Sequence, residues 1–375
     1  MKAEIKTAII MVVILIAGIG GASAYFSSLE VSISDIQNQP DDSQKQSSNS
    51  PVVSTIDKSR FKKAPELVGI TGYINTSPDE LKAAMKDKVV LYDIWTYSCI
   101  NCIRTLPYIN AWNEKYADKG LLIVGVHSPE FEFEKDINNV KTAVENYGIK
   151  YPIILDNDMN VWKAFENRYW PRKYIADSEG YLRYDHIGEG AYDETEKVIQ
   201  QLLEERSQLL GVNVAPAQPL VDLEEHKFTL SQTPELYFGY KFAFGRNQFG
   251  NSEGFKPDQI VSYSLPEKLQ EDFFYLDGQW KNFEDRMQLV SKNGKIVLSY
   301  FAKSVNIVAG GNVQLPILLD GNPISAEYAG DDVQDGLVRL SGQRLYNIVS
   351  MDEAASHTVT IIAEPDFEIY TFTFG

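Results

Sequence analysis

Hydrophobic positions change their rhythm three times along this chain. Residues 7–26, TAIIMVVILIAGIGGASAYF, form an uncharged run with no polar face, long enough to cross a bilayer core of ~30 Å as a helix. Residues 27–61, containing NQPDDSQKQSSNSP, are poor in apolar side chains and read as a flexible tether. From 62 to 211, apolar runs of strand length (VVLYDIW, LLIVGVHS, YPIILD, KYIAD) alternate with helical periodicity, which predicts an α/β unit. From 219 to 375 the segments become short and alternating (KIVLSYFA, LVRLSG, RLYNIVS, HTVTIIAE, EIYTFTFG). Turn signals at Asp277-Gly278, Asn293-Gly294 and Asp320-Gly321 are expected to separate them in an all-β sandwich of jelly-roll type. The boundary falls in VNVAPAQP, residues 212–219, whose prolines discourage regular structure.

The ends of the first run set the expected location. Lys2 and Lys6 precede it and favour an amino terminus left inside, so everything after residue 26 is expected on the extracytoplasmic face. Ala22-Ser23-Ala24 also fits a signal-peptide cleavage site, but the apolar run is longer than a usual cleaved segment, which favours a single retained transmembrane anchor over residues 1–26.

Composition narrows the chemistry. The 375 residues carry a formal net charge of −17, which argues against a nucleic-acid partner. Hydrophobic residues make up 44%, enough to bury sizeable cores. Only two cysteines occur, Cys99 and Cys102, so a disulfide-stapled scaffold and an all-cysteine metal site are excluded. His127, His186, His226 and His357 stand too far apart in sequence to complete a zinc site with them, and no metal is expected.

Cys99-Ile100-Asn101-Cys102 follows the strand-like run ending at Trp95 and opens a helical pattern through Leu106, Ile109 and Trp112. At a helix amino terminus, unpaired N–H groups and the helix dipole favour a thiolate, so Cys99 is the expected nucleophile. Cys102, one turn further in, is expected to resolve a mixed disulfide at Cys99 by closing a Cys99–Cys102 bridge. A bridge closing so short a loop removes little chain entropy, which argues against a purely structural disulfide.

The stretch Asp93-Ile94-Trp95-Thr96-Tyr97-Ser98-Cys99-Ile100-Asn101-Cys102, with Pro107 further along the helix, resembles the thioredoxin active-site strand, loop and kinked helix. Tyr169-Trp170-Pro171-Arg172-Lys173-Tyr174-Ile175-Ala176-Asp177 followed by Gly180 resembles that family's cis-proline loop. The stretches VGVHSPEFEFEKD, YPIILDND, YWPRKYIADSEG and HIGEGAY, and the closing FTFG, are similar to the exported part of DipZ proteins, a branch of the TlpA-like group.

The resemblance implies a thioredoxin fold, a mixed central sheet flanked by helices, joined to a DipZ-like β domain. It implies a thiol:disulfide oxidoreductase with no cofactor beyond the redox pair itself. Asp93 is then a buried proton acceptor for Cys102, Trp95 packs beside the cysteines, and Trp170 and Pro171 present backbone to an extended substrate. The same proline is expected to discourage metal capture. The expected clients are protein thiols and disulfides, including the haem-site cysteines of apocytochrome c. DipZ proteins carry a multi-span electron-transporting domain, and this chain has a single candidate span. As a reductant it would need a separate membrane donor of the DsbD or CcdA type.

Residues 128–147 resemble an insertion of the TlpA and peroxiredoxin side of the superfamily, and Glu130, Glu132 and Glu134 on it are expected to form a solvated face. Two other functions compete. A peroxidase would use Cys99 on a hydroperoxide, with Thr96 in the threonine position of the PxxxTxxC pattern but Tyr92 where its proline should be. Alternatively, the β domain is the principal binding module, with Trp280, Tyr237 and Tyr240 as candidate stacking surfaces, although such aromatics are more often core.

Overall fold

The computed structural model describes residues 57–212, 219–224 and 232–375. The span expected over residues 7–26, most of the tract at 27–61, His226 and the middle of VNVAPAQP lie outside them. Among the described residues no helix is long and apolar enough to cross a membrane.

Strands and helices alternate first: β1 (Gly72–Ile74), α1 (Pro78–Ala84), β2 (Val89–Trp95), α2 (Ile100–Tyr116), β3 (Leu121–His127), α3 (Ile137–Asn146), β4 (Ile153–Leu155), α4 (Asn160–Ala164), β5 (Arg172–Ala176), β6 (Leu182–Ile187) and α5 (Tyr192–Leu210). The six strands form one sheet in the order β1-β4-β3-β2-β5-β6. Neighbours among β2, β3 and β4 are parallel and the other pairs antiparallel.

β2 is buried at every position because both sheet faces are covered, which is why it reads as an apolar run and not as an alternation. Val89, Leu91 and Trp95 face one core with Leu106, Ile109 and Trp112 of α2, while Val90, Tyr92 and Ile94 face another with Val124, Val126 and Phe165. By the period of two, Asp93 falls on the α2 side. Ser77 caps α1, accepting from Glu80 N–H, and Pro78 occupies its first turn.

The remaining strands are β7 (Leu236–Tyr237), β8 (Ile260–Tyr263), β9 (Phe273–Asn282), β10 (Met287–Leu289), β11 (Gly294–Gly310), β12 (Gln314–Leu319), β13 (Asn322–Pro323), β14 (Val333–Gln334), β15 (Leu337–Arg339), β16 (Arg344–Ala363) and β17 (Glu368–Phe374). They make one antiparallel path, β14-β15-β12-β16-β11-β17-β10-β9-β8, with β13 on β12 and β7 on β17. Glu271, just before β9, bridges Ser299 in β11, so the path curls back and closes β9, β10, β17 and β11 into a small barrel. The region is all-β, as expected, but its strands share one hydrogen-bonded path where a sandwich of two separate sheets was expected.

Two details correct the sequence expectations. RLYNIVS and HTVTIIAE, read as separate strands, are the two ends of β16: both pair with β11, and residues 351–354 between them bulge out of the ladder opposite the step from Ala302 to Ser304. Asp277-Gly278, read as a turn, lies inside β9. Asp320-Gly321 is a turn: Leu319 pairs with Asn322, and both loop residues have positive φ, 51° and 79°.

The two regions share a core. Phe131 and Phe133, on the segment between β3 and α3, pack on Tyr370 of β17 with ring centroids 5.2 and 4.7 Å apart. The cluster that holds Trp95 and Trp112 runs on through Tyr237, Val308 and Tyr370. Tyr97, in the loop before the cysteines, donates its hydroxyl to the Gln343 carbonyl at 3.2 Å.

Candidate active site

The end of β2 and the start of α2 position the cysteines. Cys99 is the cap of α2, in extended backbone, and its Sγ accepts the Cys102 N–H at 3.3 Å. Its sulfur therefore lies on the unpaired N–H end of a 17-residue helix. Cys99 is half-buried, Cys102 fully buried, and both thiols are free. Burial pushes the Cys102 thiol well above its ordinary range; the hydrogen bond and charge of Cys99, and the charge of Asp93, act in the same direction against a backbone hydrogen bond from Thr96. Such a thiol needs a base before it can attack.

Asp93 supplies one. It is fully buried, and neither carboxylate oxygen has a hydrogen-bond partner. Burial pushes it up to about 6, against the pull of Lys173. Lys173 stands opposite Asp93 across the β2–β5 pairing and is also fully buried with no partner for Nζ; burial lowers it, while Asp93, Cys102 and Glu189 act to keep it charged. Glu189, pushed up to about 7 chiefly by burial, lies 3.6 Å from Arg104 on α2. Spacing along the chain signals neither role: strand register sets Lys173 opposite Asp93, and the loop after β6 brings Glu189 to Arg104.

The other expected residues fall around this pair. Trp95 is fully buried, edge-on to His127 at 5.4 Å. His127 stacks on Tyr97 at 5.7 Å with Nε2 3.3 Å from Thr96 Oγ1, and burial pushes it down to about 3, so its ring is neutral. Trp170 packs on Trp162 at 4.2 Å and donates Nε1–H to the Ser128 carbonyl at 2.9 Å. The Trp170–Pro171 peptide is cis. Pro107 lies inside α2. Among the described residues no group of three or more His, Cys, Asp and Glu side chains is placed to hold a metal ion.

The glutamates at 130–134 do not form the solvated face expected of them. Glu134 is fully buried and accepts from Ser98 Oγ at 2.6 Å, from Ser98 N–H at 3.4 Å, and from the N–H groups of Glu130 and Phe131 at 2.6 and 2.9 Å. It thereby ties the inserted segment to the cysteine loop. Only Glu132 is exposed. The phenylalanines at 131 and 133 were the available signal, since aromatics interleaved with the charges argue against a wholly solvated face. Cys99 lines a cavity of about 60 Å³ together with Trp170, Glu130 and, from the β region, Glu235, Tyr237 and Thr371. Trp280 is core, fully buried, and Tyr237 faces this cavity.

A half-buried cysteine on a helix amino terminus, a buried partner one turn on, a buried carboxylate on the preceding strand and a cis-proline are the groups that thiol–disulfide exchange needs. The "Thiol-disulfide oxidoreductase YkuV" of Bacillus subtilis is 32% identical over 141 residues, covering 38% of this chain and 94% of that protein. The chain belongs to the thioredoxin-like superfamily. Within it, the Redoxin family matches residues 62–203, and the family described as "Thioredoxin like C-terminal domain" matches residues 233–375. "Protein DipZ" of Mycobacterium tuberculosis is 34% identical over 315 residues, covering 83% of this chain, which spans 43% of that protein's length. A solved structure described as "Solution Structure of a Thioredoxin-like Protein in the Oxidized Form" is 31% identical, covering 39% of this chain and 97% of that one, at a TM-score of 0.35.

Proposed function

We propose that this thioredoxin-like protein is an extracytoplasmic thiol:disulfide oxidoreductase, held to the membrane by residues 7–26, that reduces disulfides of exported proteins. The observation that carries the reading is Cys99 Sγ on the amino-terminal N–H groups of α2, with Cys102 buried behind it. The Cys99 thiolate attacks a substrate disulfide, Cys102 gives its proton to Asp93 and attacks Cys99, and the substrate leaves as a thiol. Trp170 and the backbone at Pro171 are proposed to hold the substrate beside Cys99. The relatives named thiol-disulfide oxidoreductase support the activity, and the lysine-flanked apolar run supports the location.

As a reductant the protein would draw electrons from a separate membrane donor of the DsbD or CcdA type. Its clients would be cytochrome c maturation substrates or other exported thiol proteins. Equilibration of the Cys99–Cys102 couple in thiol/disulfide buffers tests the direction. A potential near the thioredoxin value of about −270 mV is expected, and one near the DsbA value of about −120 mV would make the protein an oxidant.

A peroxidase is the second reading, because Cys99 lines a small cavity in which a hydroperoxide would meet its sulfur. Thr96, however, is turned towards His127. Rapid sulfenate formation in Cys102→Ser would support that reading, and its absence would remove it.

A further inference from the structure

Cys99 opens onto a cavity whose far wall belongs to the β region, and two carboxylates meet there around one hydroxyl. Tyr237 Oη lies 2.7 Å from Glu130 Oε1 and 2.8 Å from Glu235 Oε2. All three residues line the cavity with Cys99. A phenol has a single proton to donate, so two oxygen–oxygen contacts of this length need a second proton, carried by one of the carboxyl groups. Two glutamates held this close also resist joint ionisation, as in other carboxylate pairs that share a proton.

The charged groups facing the pair are Glu134, on the same inserted segment, and Arg246, whose guanidinium sits 4.4 Å over the Tyr237 ring. Burial, followed by each other's charge and that of Glu134, raises Glu130; burial raises Glu235; Arg246 and the Tyr237 hydroxyl oppose both shifts.

We propose that Glu130, Tyr237 and Glu235 are the general acid of the Cys99 cavity, delivering their shared proton to the substrate sulfur that leaves Cys99. The proposal rests on the thiol–disulfide exchange reading above and adds residues to it from two parts of the chain. On the mixed disulfide, the Cys102 thiolate attacks Cys99 Sγ. The Cys99–Cys102 bond forms, and the bond from Cys99 to the substrate sulfur breaks. The substrate sulfur departs with the electron pair and takes the proton, so the substrate is reduced, the cysteine pair is oxidised, and the carboxyl pair is left with one more negative charge until water reprotonates it. In the reverse direction the same pair acts as base.

Leaving-group chemistry tests this. An aryl thiolate is stable without a proton, whereas an alkyl thiolate benefits from one as it leaves. In the full chain, Glu235→Gln and Glu130→Gln are expected to slow exchange with an alkyl disulfide at least about tenfold more than with an aryl disulfide. Glu235→Gln should also move the alkaline limb of the alkyl rate to lower pH, because Glu130 then ionises without a like-charged neighbour. Tyr237→Phe, which keeps the ring packed on Phe131, should move the limb the other way, because ionised Glu130 loses a donor. Equal losses on both disulfides with unmoved limbs, or no loss at all, would overturn the proposal. A wild-type chain that reduces neither disulfide would instead sink the exchange reading itself.

Discussion

A carboxylate buried with no hydrogen-bond donor is costly, and Asp93 is such a group. Its environment explains why it persists: lifted to about 6, it can hold the Cys102 proton and give it up again near neutral pH. Only the ionised form is a base, so the exchange rate is expected to fall as pH drops through about 6. Asp93→Asn should remove that limb and slow release of substrate from Cys99 by about 100-fold. Lys173 pulls Asp93 down, so Lys173→Met should move the limb to higher pH. Stopped-flow release rates against pH check all three, and a limb unmoved in Lys173→Met would show that the lysine does not act on Asp93.

The placement of the cysteines and Asp93 was legible because it depends on spacing along one strand, loop and helix. Lys173, Glu189, Glu130 and Glu235 were not, because a charged residue looks the same in sequence whether solvent or a neighbouring strand receives it.

Elements were legible where local chemistry decides them. VVLYDIW could only be a central strand, and α2 began where a capping side chain met an apolar helical pattern. Long-range pairing decided the rest. β16 runs on through MDEAAS because β11 pairs with it on both sides of the unpaired residues 351–354, a partner that a short window cannot see. Asp277-Gly278 has turn composition yet sits in β9, where Gly278 takes φ 100° and lets the backbone of Asn293 and Gly294 approach. A Cβ there would stand 2.9 Å from the Asn293 carbonyl oxygen. Gly278→Ala is therefore expected to cost at least about 1–2 kcal/mol, read as a lower urea midpoint at unchanged m-value. An unchanged midpoint would mean the strand relaxes freely at this position.

At the scale of the whole molecule, the β region shares a core and a cavity with the cysteine loop. Phe131 and Phe133 dock on Tyr370, Tyr97 reaches Gln343, and Glu235 and Tyr237 complete the cavity over Cys99. Residues of both regions line that cavity together with Cys99. The period of the sequence predicted both regions but not that they share a core, since aromatics that close a domain and aromatics that join two domains have the same pattern. The proposed mechanism has Cys99 attacking and Cys102 resolving. Its most direct test is to trap the intermediate in the full chain with a disulfide-bonded client, comparing Cys102→Ser with Cys99→Ser. A stable mixed disulfide at Cys99 in the first variant and none in the second is the predicted result; trapping at Cys102 in Cys99→Ser, with none at Cys99, would contradict it.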